Sequence, residues 1–163
     1  MHLHLAELNI GRLVGEPGDP RVAAFMAALD RVNGIGKRSP GFVWMMEGSG
    51  APGTGNTETR IGGDARFVTN LTLWESAEAL GNFVWNTVHR RFYERRAEWF
   101  EVLGDQHFVM WRVPAGHRPS LDEALARLDH RKTHGDTDHA FGWDWLGEAE
   151  QWRARTCASE AAE

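Results

Sequence analysis

The feature that most restricts this chain's fold is the order in which its apolar residues change period. Short runs with period two alternate with longer runs of helical period, and turn residues separate them. Leu3 to Ile10 reads as a first strand, broken by Gly11. Pro17, Gly18, Asp19 and Pro20 then form a turn, in which Asp19 can cap a helix with Pro20 at its first position. Val22, Phe25, Met26, Leu29 and Val32 recur at helical spacing until Gly34 and Gly36 stop them. Phe42 to Met46 is a second strand. Gly48 to Gly63 has no period and is rich in Gly, Thr and Asn, so it reads as a loop long enough to serve as a lid.

Arg66 to Trp74 is a third strand. Phe67, Thr69, Leu71 and Leu73 point to one face, and Arg66, Val68, Asn70, Thr72 and Trp74 to the other. A strand directly after the glycine-rich loop excludes a phosphate cradle, which needs a helix N-terminus there. Ser76 caps a second helix whose apolar stripe is Leu80, Phe83, Val84, Thr87 and Val88, with Phe92 and Trp99 further on. His107 to Val113 is a fourth strand. Ser120 and Glu123 form a capping box for a last helix, Leu121 to about Thr133, ended by Gly135. The order β-α-β-β-α-β is that of a ferredoxin-like α+β fold, with an added C-terminal helix and tail. The expected organisation is one domain over residues 1–146 and a polar tail over 147–163.

Composition removes several classes. The net charge of −5 and the scatter of basic residues argue against nucleic-acid binding, which needs clustered Lys and Arg. Arg90, Arg91, Arg95 and Arg96 do crowd together, but Glu94 and Glu98 sit among them. The lone Cys157 excludes an internal disulfide and fits a reducing compartment. With no leader-like opening and no apolar run near the ~20 residues of a membrane span, the expectation is a cytoplasmic protein without a membrane partner. Eight Trp against one Tyr point to an aromatic cavity, an interface or a Trp-rich core.

The run Asn70-Leu71-Thr72-Leu73-Trp74-Glu75-Ser76-Ala77-Glu78-Ala79-Leu80 resembles the strand-to-helix junction of the antibiotic-biosynthesis-monooxygenase group of dimeric α/β barrels. Phe83 to His89, Trp99-Phe100-Glu101, and Val109 to Pro119 followed by Glu123-Ala124 resemble, more specifically, the domain of unknown function 3291 family of that superfamily. The resemblance implies two four-stranded sheets from two chains closing into one barrel, hence a homodimer. Its relatives include cofactor-free oxygenases, haem-dependent enzymes, isomerases and proteins without known activity, so chemistry must be argued from residues.

Trp85, His89 and Tyr93 are spaced i, i+4, i+8 on the second helix, with Arg96 close to the same line. Such a face either packs against another element or lines a pocket. As a site, His89 is the candidate general base, Tyr93 a donor to a substrate carbonyl, and Asn70 a group that polarises an enolate oxygen. Trp74, Trp85, Arg96 and Trp111 complete the set as substrate-binding residues. The set suits a monooxygenase-like small-molecule enzyme acting on an apolar aromatic or polyketide-like substrate, with no cofactor. The alternatives are a haem protein with His89 as axial ligand, and a non-catalytic small-molecule-binding dimer. His130, His134 and His139 form a second cluster with i, i+4 spacing, read as a polar helix end rather than a metal site. His117 reads as a turn residue tying the fourth strand to the last helix, and His2 and His4 as exposed.

Overall fold

The computed structural model describes residues 2–49, 54–104 and 106–147. Cys157 and most of the expected tail lie outside the described residues. The elements are β1 (Leu3–Arg12), α1 (Ala23–Arg38), β2 (Phe42–Met45), a short α2 (Thr54–Thr57), β3 (Phe67–Trp74), α3 (Ala77–Asn86), α4 (His89–Glu94), β4 (Phe108–Pro114) and α5 (Leu121–His134). The four strands form one antiparallel sheet in the order β2-β3-β1-β4, the ferredoxin-like arrangement. No described helix is long and apolar enough to cross a membrane.

Both sheet faces are buried, and the β1 register sorts their residues. Ala6, Leu8, Leu71, Leu73, Val109, Trp111 and Val113 share one face and pack on Ala124 and Leu128 of α5. Leu5, Trp74 and Met110 share the other and pack on Leu80 and Phe83 of α3 and on Val32 and Ile35 of α1. The alternation expected for β3 is therefore the alternation observed. The added helix α5 lies on the sheet face away from α1 and α3. A barrel closed by two sheets uses that same face, so the implied dimer has to accommodate α5 there.

Local chemistry explains most boundaries. Asp19 accepts from the Arg21 amide at 2.8 Å, capping a 3-10 turn (Pro20–Val22) that leads into α1. Contrary to expectation, Gly34 and Gly36 do not stop α1, which runs on to Arg38. Gly36 sits against the Phe83 ring, where a Cβ would lie only 3.3 Å away, so its role is close packing of α1 on α3. The helix ends at Ser39, whose backbone is extended, as the following Pro40 favours. β1 continues through Gly11, over which Phe100 packs so closely that a side chain would not fit. The expected loop contains α2, whose Asn56 donates to the Thr69 carbonyl at 2.9 Å and accepts from Asn33 at 2.7 Å. That contact satisfies a stretch of β3 that β2 is too short to pair. Ser120 caps α5 through the Glu123 amide, and Gly135 ends it at φ 73°. Beyond α5, Phe141 exchanges backbone hydrogen bonds with Met110 at 2.7 and 2.9 Å, which covers the outer edge of β4.

Candidate active site

The second helix departs most from expectation, and the departure shapes the site. It is two helices, broken at Thr87, whose backbone is extended (φ −118°, ψ −176°). The Thr87 hydroxyl donates to the Phe83 carbonyl at 2.6 Å and accepts from the His89 amide at 3.2 Å. One hydroxyl thus closes α3 and opens α4, as short polar side chains do when they compete with the helix ladder. Trp85, His89 and Tyr93 therefore do not share one continuous helical face.

The break divides the predicted set. Trp85 and Tyr93 still meet edge to face, with ring centroids 5.5 Å apart. The Arg96 guanidinium lies over the Tyr93 ring at 4.1 Å and donates to the Tyr93 carbonyl at 2.8 Å. His89 turns away from them and packs on Phe83 at 5.0 Å. Its Nδ1 is buried with no hydrogen-bond partner. Burial lowers its pKa below the ordinary histidine value, so the ring is neutral at pH 7.

Phe83 also stacks on Trp74 at 5.2 Å, and Phe42 meets Trp74 edge to face at 5.4 Å. Trp74 is fully buried, so it forms the floor of the region rather than an open stacking platform. Its indole Nε1 donates to Thr72 Oγ1 at 2.9 Å, and Thr72 donates to Glu7 Oε2 at 2.8 Å. Asn9 donates to Glu7 Oε1 at 2.8 Å. Glu7 is only 2% exposed, and burial raises its carboxyl from 4.5 to about 7 against the opposing pull of these two hydrogen bonds. Sequence reasoning missed this residue. The signal available was the polar pairs Glu7 and Asn9, and Asn70 and Thr72, each alternating along a strand.

Asn70 stands directly opposite Asn9, and Phe108 flanks Asn9 on the other side. All three are half-buried, as are Trp85, His89 and Trp143. Phe108 stacks on Trp143 at 6.1 Å, and Trp143 approaches Trp85 at 6.5 Å. A buried carboxyl thus lies beneath a row of half-buried amides and rings, on the sheet face that α3 covers.

Trp111 does not join this group. It lies on the opposite face, sealed under α5, where its Nε1 donates to Glu123 at 3.1 Å. The other oxygen of Glu123 meets His117 Nε2 at 2.8 Å, which ties the end of β4 to α5 as expected. His130 lies 4.5 Å from His134 and 4.6 Å from His139, ring to ring, but no group of three metal-ligating side chains exists among the described residues. His139 is instead engaged by Arg127, at 2.8 Å through Nδ1 and 2.7 Å through its carbonyl. His4 is half-buried rather than exposed, with Nδ1 enclosed and unpartnered. A shallow depression of about 480 Å³ beside Val14, Glu16, Asp19 and Arg66 involves none of the predicted residues.

A haem at His89 would have to be held through the ring nitrogen other than Nδ1, because Nδ1 is buried without a partner where the ring packs on Phe83.

Fold and site together define a ferredoxin-like α+β protein with a buried carboxyl and a row of half-buried aromatic and amide side chains on the sheet face that α3 covers. The family described as domain of unknown function DUF3291 matches residues 4–157, and the chain belongs to it. No curated protein matches the sequence. Among solved structures, it is similar to SnoaB, a cofactor-independent oxygenase from Streptomyces nogalater, at 15% identity and a TM-score of 0.42. That likeness covers 74% of this chain and 98% of SnoaB, and is too distant to carry an argument.

Proposed function

We propose that the protein is a monooxygenase-like enzyme that works without a bound cofactor on a flat, apolar aromatic compound held between the sheet and α3–α4. His89 is the general base of this reading. The observation that supports it is the state of the imidazole: half-buried against the Phe83 ring, it is kept neutral at pH 7 by burial. Trp85 and Tyr93 supply apolar surface at the rim, Arg96 orients Tyr93, and Asn70 offers an amide to a developing oxyanion. Trp74 acts from beneath, through Phe83 and Thr72.

A hydroxyarene tests the reading. Conversion of 1-naphthol and dioxygen to naphthoquinone and water consumes one dioxygen per ring, which an oxygen electrode follows. His89→Gln is expected to lower turnover at least a hundredfold, the usual scale of a lost general base, with little change in KM. The acid limb of the wild-type pH–rate profile should fall below pH 6.5, since the base titrates below its ordinary value. Unchanged turnover in the folded variant would remove His89 from the mechanism.

The reading includes the homodimer implied by the family resemblance, built with α5 in place. Light scattering at micromolar concentration should give twice the 18.4 kDa chain mass. A single-chain mass removes the dimer from the proposal.

A further inference from the structure

The hydrogen bonds around Glu7 have one possible direction. An indole N–H can only donate, so Thr72 Oγ1 accepts from Trp74, and the single Thr72 proton goes to Glu7 Oε2. The Asn9 amide group donates to Oε1. Both carboxyl oxygens thus receive donors, an arrangement built for a carboxylate, yet no ion pair reaches Glu7 among the described residues. Besides Asn9 and Thr72, its neighbours on the same sheet face are the apolar Leu5 and Met110. A carboxyl placed there for packing alone would be replaced at a gain by an apolar side chain, because burying a charge without a cation is costly.

Chemistry supplies a role. Oxidation of a hydroxyarene to a quinone removes two protons from the ring compound, one from oxygen and one from carbon, and both end on water. His89 serves one of them. We propose that Glu7 is the second proton-transfer residue of the same site, receiving the hydroxyl proton of a phenolic ligand seated over the Asn9–Asn70 row; this rests on the site reading above. The ligand O–H bond breaks, its electron pair stays on the oxygen, and the proton converts the Glu7 carboxylate to the acid. The phenolate then carries the charge that Asn9 and Asn70, half-buried and facing each other across β1 and β3, can stabilise. Burial and hydrogen bonding set the Glu7 carboxyl at about 7, which suits a group that must take and return a proton near neutrality.

Calorimetric binding of 1-naphthol and of naphthalene, between about pH 5.5 and 8.5, tests the assignment in wild type, Glu7→Gln and Thr72→Val. In wild type, affinity for 1-naphthol should rise about tenfold as Glu7 ionises, since a hydrogen bond to a carboxylate is markedly stronger than one to a neutral acid. Naphthalene has no hydroxyl and should bind equally across the range. In Glu7→Gln the naphthol curve should become flat. Thr72→Val, which removes the donor to Oε2, should move the rise to higher pH, and it carries the test if the first variant does not fold. The same tenfold rise persisting in folded Glu7→Gln overturns the role of Glu7 and leaves the site reading standing. Failure of wild type to bind either compound overturns the site reading, and the Glu7 assignment with it.

Discussion

Trp111→Ala is expected to destabilise the protein by about 3–5 kcal/mol, the largest loss from any single truncation considered. The side chain is fully enclosed between β4 and α5, at the centre of a cluster formed with Ala6, Leu8, Leu71, Val109 and Leu128. Truncation leaves a cavity bounded by a strand on one side and a helix on the other, neither free to collapse into it. It also strips Glu123 of a hydrogen-bond donor and Arg127 of the ring it lies above at 5.9 Å. For a chain of this size each kcal/mol moves the melting temperature by roughly 2–4 °C, so a drop of about 10 °C is expected in a calorimetric scan. A change within about 1 kcal/mol would mean that α5 does not seal this sheet face in solution.

Between about pH 4.5 and pH 8, wild type is expected to lose about 3 kcal/mol of stability that Glu7→Gln, whatever its offset, keeps. Burial raises the folded-state carboxyl from 4.5 to about 7. Below pH 4.5 both folded and unfolded chains hold the proton. Between 4.5 and 7 the unfolded chain releases it while the folded chain keeps it, so stability falls by about 1.4 kcal/mol per pH unit. The fall stops above pH 7, where both states are ionised, and 7 minus 4.5 gives a window of about 2.5 units. His89 runs the other way. Its folded pKa is depressed, so its contribution is complete above its ordinary value and is lost as pH falls through the folded one. Urea midpoints across this range separate the two groups, because Glu7→Gln removes only the loss toward alkaline pH. Parallel curves for variant and wild type would show that Glu7 does not titrate as argued.

Much of the candidate site was legible in the chain, though not as one unit. His89, Trp85, Tyr93 and Arg96 stand out because helical spacing places unusual side chains together, and Trp85, Tyr93 and Arg96 do meet. His89 leaves that line because the Thr87 hydroxyl offers the backbone a partner that periodicity does not register. Trp74 and Trp111 read alike on paper, as tryptophans in apolar strands. Only sheet register and the positions of α3 and α5 put the first beneath the site and the second on the far face.

What the sequence by itself determined is local: the order β-α-β-β-α-β, the caps at Asp19 and Ser120, the stop at Gly135, and the two faces of β3. These follow from backbone geometry and side-chain alternation, which act over a few residues. Tertiary structure decided where α5 sits, why α1 runs through two glycines, and what surrounds Glu7. Within Leu5-Ala6-Glu7-Leu8-Asn9 a glutamate at alternate spacing reads as solvent-facing, as it would be in a sheet covered on one side only. Here α1 and α3 cover that side while α5 covers the other, so the same alternation carries Glu7 into the interior. A residue's solvent depends on which elements pack over it, and the partners of Glu7 include Thr72 and Met110, both far from it along the chain.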